Sequence, residues 1–299
     1  VGIVEDRLEA YAAEIGRIGG HRDPSDPAHH DVAGDDETTC LFVLALDAVN
    51  FGSGWFPVLA KGAGQSGYHT IAGRLADHVR GHGLTIAALR SADRVTMARI
   101  TGQDPDGPVR TLLDQFAGSW RGLGRLLDGS ADGSALGFVA ASDGSAARLV
   151  AALADGHPLY RDAPLYRGTP VHLYKRAQIT AADLHLAFDG RGPGHFDDLD
   201  RLTLFADNLV PHVLRLDGVL SFSDDLVARI DEGDLLRPGE PAEVEIRAVS
   251  VHAVERLVGR LADRGSPMTA MTIDGILWHR GAGGGYKSRP RHRCRTTAY

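Results

Sequence analysis

Apolar positions recur at helical spacing along most of this chain, and the runs are separated by clusters of Gly, Pro, Asp and Ser. Val4, Leu8, Tyr11, Ile15 and Ile18 share one face of Val1–Ile18, an amphipathic helix that Gly19 and Gly20 stop. His69–Gly81, Leu84–Ile100, Pro108–Leu127, Ser145–Asp155, Asp225–Glu232 and Glu243–Leu261 read as further helices. Leu41–Ala48 is a short continuous apolar run, and periodicity does not decide between buried helix and buried strand there. Within Tyr166–Phe188, the stripe Leu173, Ala177, Leu184, Phe188 is interrupted by Lys175, Arg176 and Gln178. One or two of these are expected to project away from the stripe, since charge runs are usually solvated faces.

Leu202–Leu220 is the stretch of most chemical interest. Leu204, Phe205, Leu209, Val213, Leu216 and Leu220 recur at roughly helical spacing, with Asp207 among them and Pro211 four residues later. Proline inside a helix removes a hydrogen bond and clashes with the preceding turn. The spacing therefore predicts a break near Val210 or a second helix with Pro211 in its first turn. Asp207 then sits at a helix junction beside an apolar surface. It either caps the helix or is a carboxylate held there for use.

Composition narrows the function classes. The chain has 299 residues, enough for one large domain or two ordinary ones. The Gly/Ser/Asp-rich stretch Asp128–Gly144 is the candidate internal boundary. A net charge of −7 argues against general affinity for duplex nucleic acid. Cys40 and Cys294 stand far apart with no CxxC spacing, which suits a cytoplasmic setting better than a disulfide framework. No apolar run approaches membrane-spanning length. Glu5, Asp6, Glu9 and Glu14 exclude a signal peptide in Val1–Ile18.

Several motifs resemble known chemistry without matching it. His21–Glu37 holds His21, His29, His30 and several acids, but at no tight metal-ligand spacing, so no metal is expected. His78 and His82 lack the glutamate of a zinc-protease helix and read as surface residues. Gly281–Ser288 nearly spells a phosphate-binding loop. Tyr286 stands where glycine is required and Pro290 blocks the following helix, so a nucleoside-triphosphatase reading fails and a mobile loop is expected. Beyond it, arginines at every second position from Arg289 to Arg295 either grip a phosphate from an extended segment or form a solvated tail. In Asn50–Pro57, aromatics alternate with small residues, a pattern that serves a planar ligand or a glycine turn bracketed by core rings.

Taken in order from about Leu41 to the C-terminus, LDAVNFGSGWFP, YKRAQI, LFADNLVPHVLRLDG, EVEIRAVSVHAVE, DGILW and RPRHRCRTTAY make the chain similar to the queuosine salvage protein family, the queuosine 5′-phosphate N-glycosylases. The family usually has Tyr where this chain has Asn208, and often an acid or amide where it has His279. The resemblance implies a single domain over 1–299, mainly α with a few short strands and distantly similar to helix–hairpin–helix DNA glycosylases. It implies release of queuine from queuosine 5′-monophosphate, giving ribose 5-phosphate, with no metal or organic cofactor and no stable nucleic-acid or membrane partner.

Such a cleavage builds oxocarbenium charge on the sugar. By its place in the FAD motif, Asp207 is the expected catalytic carboxylate. The base is a deazapurine without N7, so the usual protonation of a purine leaving group is unavailable and the base must be held tightly. Asp274 is expected on its guanine-like edge, or on the secondary amine of its arm. Phe51, Phe205 and Trp278 are candidates to stack on the base, a contact worth about 1–3 kcal/mol in nucleic-acid binders. His30 and His279 are expected in the same pocket. Lys175 is the first choice for the phosphate, followed by Arg293 or Arg295. Glu245, Arg247 and Glu255 are expected in an internal ion-pair network that positions the site. The competing readings are a glycosylase for another modified nucleotide or a DNA base, and a carrier that binds queuine without cleavage.

Overall fold

A computed structural model of the chain describes residues 1–18, 32 and 34–299. It is mainly helical, as expected. The described strands are two-residue pairings: Gly2–Ile3 antiparallel to Leu220–Ser221, Leu165–Tyr166 antiparallel to Thr169–Pro170, and Leu235–Leu236 parallel to Arg293–Cys294. Many helix starts follow from local chemistry. Asp35, Ser66, Thr85, Asp93, Ser134, Ser145 and Thr269 each accept a hydrogen bond from an amide in the first turn. Each such cap is worth typically about 1 kcal/mol. Asp93 also explains why the expected helix over 84–100 is two, Ile86–Ser91 and Arg94–Thr101.

The ambiguous run Leu41–Ala48 belongs to the helix Asp36–Asp47 and its C-cap, and every residue from Cys40 to Asp47 is buried. A helix apolar all round is one surrounded by protein. It forms the axis of the largest core, against Gly67–His82, Arg110–Asp128 and Lys175–Ala187. The expected connector Asp128–Gly144 contains a helix, Ala135–Ala140. The amides of Ala135 and Leu136 donate to the Glu37 carboxylate at 2.9 and 2.7 Å, tying this segment back to the axis.

A second core joins the chain's two ends. Leu8, Tyr11 and Ile15 of the helix Glu5–Ile18 pack with Leu257 and Leu261 of Pro241–Asp263, with Ala270–Gly281 alongside. A third, small cluster gathers Leu226, Ile230, Leu236, Ile246, Cys294 and Tyr299.

Residues 202–209 thread between the first two cores, and they are not helical. Leu204 and Ala206 enter the second core, whereas Phe205 enters the first. Successive side chains on opposite sides are the signature of extended backbone. The apparent helical period arose because both sides of the segment are buried. The helix begins at Val210 with Pro211 in its first turn, the second of the two arrangements expected. Among the described residues, no helix is long and apolar enough to cross a membrane.

Candidate active site

The seam between the two large cores holds a cavity of about 970 Å³. Its wall includes Phe51, Lys175, Phe205, Asp207, Asp274 and Trp278, so chain segments far apart in sequence converge as expected. Three expected residues lie elsewhere. The His279 ring bonds to the Gly275 carbonyl of its own helix at 2.8 Å. Arg293 donates to the Gly233 carbonyl at 2.5 Å, held there by the parallel pairing at Arg293–Cys294, and Arg295 stands 5.5 Å over the Trp55 ring. Arg291, in the same alternating series, does line the cavity, together with Arg289 and Lys287. Strict alternation would aim all four arginines the same way; instead the segment changes environment where it pairs at Arg293–Cys294, so Arg289 and Arg291 face the cavity while Arg293 and Arg295 do not. His30 and His29 lie outside the described residues.

Asp207 is fixed by the break that precedes its helix. Its Oδ1 accepts from the amides of Leu209 and Val210 at 2.7 and 3.0 Å. Among the described residues Oδ2 accepts no hydrogen bond, and Asp207 is half-buried in the cavity wall. Capping and exposure to a ligand are therefore properties of one side chain, not alternatives. Asn208 is anchored by a 3.3 Å bond from Nδ2 to the His292 carbonyl, which ties the junction to the C-terminal segment. Burial drives the His292 ring down to about 3, so it stays neutral.

Asp274 reaches the cavity from the helix Ala270–Gly281, and its Oδ1 accepts from the Phe205 amide at 3.2 Å. Burial, reinforced by the charge of Asp207, pushes its carboxyl well above the usual carboxylate range, although the Phe205 amide and Lys175 oppose this. Two carboxyl groups on one cavity thus have unlike environments, an arrangement that suits division of acid and base work.

One or two of Lys175, Arg176 and Gln178 were expected to project into solvent; Lys175, the first choice for the phosphate, is 5 % exposed and opens the helix Lys175–Ala187. Arg176 and Gln178 are buried as well. The physical reason is that each has partners inside. Arg176 donates to the carbonyls of Ala48 and Leu159 and lies between the Phe51 and Tyr160 rings at 4.7 and 4.5 Å. Gln178 exchanges bonds with Leu173 and Thr203. The Lys175 ammonium donates to the Asn50 carbonyl at 3.5 Å. Burial lowers its pKa, while the charges of Asp207, Asp47 and Asp274 work against that shift.

Behind this wall, Arg247 ties the two sides together. It donates to both Asp162 oxygens at 2.9 and 2.5 Å, to the Ala206 carbonyl at 2.9 Å and to Glu243 at 3.4 Å. Burial opposes its charge, but Asp162 and Glu243 outweigh it and raise its pKa. The second Asp162 oxygen also accepts from the Lys175 amide at 3.2 Å. The Asp162 carbonyl accepts from Leu173 and from Tyr174, which holds a left-handed φ of 46°. One guanidinium thus braces the residue before Asp207 and, through Asp162, the turn that presents Lys175. The network expected from the sequence exists at Arg247 alone. Glu245 instead accepts from the Val1 nitrogen at 3.1 Å and the Tyr166 hydroxyl at 2.6 Å, and Glu255 has no ion pair among the described residues.

The cavity also holds residues that the sequence did not single out: Asn50, Tyr68, His69 and Asp183. The Trp278 indole meets Tyr68 and His69 edge-on, with ring centroids 6.3 and 5.8 Å away. Only Asn50 carried a signal, through the glycine–aromatic stretch it opens. Among the described residues no group of three His, Cys, Asp or Glu side chains converges to hold a metal.

Comparison with known proteins bears on this geometry. The family model described as "Queuosine salvage protein" matches residues 29–299. A protein of Sphaerobacter thermophilus named queuosine 5′-phosphate N-glycosylase/hydrolase is 38 % identical over 268 residues, covering 88 % of this chain and 82 % of its own. Proteins with the same name are 32 % identical in Dictyostelium discoideum, over 88 % of this chain and 79 % of that one, and 29 % identical in Mus musculus, over 89 % and 83 %.

Proposed function

The chain belongs to the queuosine salvage protein family, and we propose that it hydrolyses the N-glycosidic bond of queuosine 5′-monophosphate, releasing queuine and ribose 5-phosphate. The observation that carries the reading is the fixed carboxylate of Asp207, capping a helix with one oxygen while facing a cavity that also presents Asp274, Lys175 and Arg291.

In this reading Asp207 lies beneath C1′. As the bond from C1′ to the base nitrogen breaks, its electron pair leaves with the base and positive charge spreads over the sugar ring. The Asp207 carboxylate stabilises that charge. Water then adds its oxygen to C1′ and gives a proton to Asp207, which returns it to solvent. The departing base carries negative charge that spreads to its ring carbonyl, and its ring nitrogen then takes up a proton from water, which balances the proton that Asp207 returns to solvent. Burial and the Asp207 charge favour the protonated form of Asp274, and in that form it donates its O–H to that carbonyl and accepts the neighbouring ring N–H. A protonated carboxyl has both functions, whereas a carboxylate only accepts. This refines the expectation that Asp274 accepts two N–H groups. Phe51, Phe205 and Trp278 supply rings for the flat base. Lys175 and Arg291 hold the phosphate, with Arg291 taking the part first sought in Arg293 and Arg295. The unpaired, buried thiols of Cys40 and Cys294 suit the reducing cytoplasm.

The test is incubation of purified protein and its Asp207→Asn variant with queuosine 5′-monophosphate, with chromatography for queuine. Release by the wild type alone is expected. Release by both moves the catalytic role to Asp274. Release by neither, with free queuine bound, makes the protein a carrier.

A further inference from the structure

Asp47 is the last residue of the helix Asp36–Asp47, and it is fully buried. Nothing in helix construction favours an acid there, because the exposed carbonyls of a helix C-terminus repel negative charge. Its Oδ1 accepts from the Asn50 side-chain amide at 3.3 Å, while Oδ2 is buried with no hydrogen-bond partner among the described residues. A buried carboxyl with a bare oxygen is costly, so such a group calls for an explanation beyond packing.

The explanation lies in what faces it. From the helix Lys175–Ala187 come Lys175, Arg176 and the Thr180 hydroxyl; Tyr160 and Tyr68 approach from other elements. Arg176 is committed to the Ala48 and Leu159 carbonyls and two rings. Lys175 is not committed in that way: among the described residues its ammonium donates a hydrogen bond to the Asn50 carbonyl alone, at 3.5 Å. Asn50 therefore bridges Asp47 to Lys175, its side chain on one and its main chain on the other, and it lines the cavity where Asp47 does not.

We propose that Asp47 is a positioning residue that sets, through Asn50, how much of the Lys175 positive charge reaches the substrate phosphate. With Asp47 protonated, the ammonium is free to face the cavity. With Asp47 ionised, a buried negative charge draws the ammonium back and cancels its field at the phosphate. The inference rests on the reading above, in which Lys175 meets the phosphate. Burial pushes Asp47 up to about 7, opposed by Asn50, Lys175, Thr180 and Arg176, so the change falls in the neutral range. The sign follows: Asp47 loses its proton as pH rises, and phosphate binding weakens with it.

The experiment is the pH profile of kcat/KM for queuosine 5′-monophosphate and for the nucleoside queuosine, in wild type and Asp47→Asn. Loss of a charge-assisted hydrogen bond weakens binding roughly tenfold or more, so a fall of that size through neutral pH is expected for the monophosphate and none for the nucleoside. The second ionisation of the phosphate, near about 6, works in the opposite sense and is common to both enzymes. Asp47→Asn should abolish the falling limb. A limb that instead moves to lower pH in the variant would mean that Lys175 itself is titrating, which overturns the proposal. If the variant does not fold, the wild type still decides, because a limb shared by both substrates belongs to the chemistry and also overturns it. Failure of the wild type to cleave either substrate would remove the functional reading, and this inference with it.

Discussion

Replacing Arg247 by Met tests whether one buried guanidinium holds the two halves of the site in register. The substitution keeps an unbranched side chain of similar length and removes every donor. Asp162 loses bonds of 2.9 and 2.5 Å, the Ala206 carbonyl one of 2.9 Å, and Glu243 one of 3.4 Å. Both acids are then left buried without their cation, and burial already raises Glu243 above the usual carboxylate range. Breaking a buried pair from one side costs about 3–5 kcal/mol. At about 2–4 °C per kcal/mol for chains somewhat smaller than this one, that is a fall in Tm on the order of ten degrees. Thermal unfolding followed by circular dichroism reads it. Asp162→Asn alone should also destabilise, and the double variant should fall short of the sum by about 1–3 kcal/mol, as expected for residues in one network. At temperatures where Arg247→Met is folded, kcat should fall roughly a hundredfold, the scale of an ångström of misplacement, with KM changing much less. A melting temperature within about 2 °C of wild type, or an unchanged kcat in the folded variant, would refute the bracing argument.

Arg291→Ala should raise KM for the monophosphate roughly tenfold or more, the scale of one charge-assisted hydrogen bond, and leave the free nucleoside unaffected. Arg295→Ala should change neither, because its side chain stands over Trp55 outside the cavity; steady-state kinetics on both substrates separates the two arginines. Gly54→Ala should lower Tm, because the added Cβ would lie 2.3 Å from the Cys294 carbonyl oxygen and 2.9 Å from the Arg295 amide nitrogen, both backbone atoms that cannot rotate away. Overpacking of this kind costs about 1–3 kcal/mol, and an unchanged melting curve would show that the C-terminal segment is not held against Gly54.

Local patterns were legible wherever one face of an element meets one environment. The helix Glu5–Ile18 has an apolar stripe against a single core, and its spacing announces it. Leu202–Leu209 lies between two cores, so apolar residues on both of its sides imitate a helical period in an extended segment. One or two of Lys175, Arg176 and Gln178 were expected in solvent and all three are buried, because polarity in sequence marks a surface only on average. Here carbonyls of Asn50, Ala48, Leu159 and Leu173, none of them visible to a periodicity argument, receive their hydrogens.

Asp207, Asp274, Lys175 and Trp278 were expected from motifs that resemble those of the family, and the structure sets all four around one cavity. Asp47, Asp162, Tyr68 and His69 were not expected, since a single acid or ring in ordinary surroundings carries no local signal. The chain by itself determined the helical character and the Pro211 junction that fixes Asp207. Only the tertiary structure decided which arginine faces the cavity, that Arg247 pairs with Asp162 instead of Glu245, and that Asp47 lies behind Lys175. Propensity, capping and proline geometry act within a few residues and so are written locally. Burial and the pairing of charges depend on neighbours more than forty residues away in sequence, as with the Arg247–Ala206 bond, and those neighbours exist only once the chain has folded.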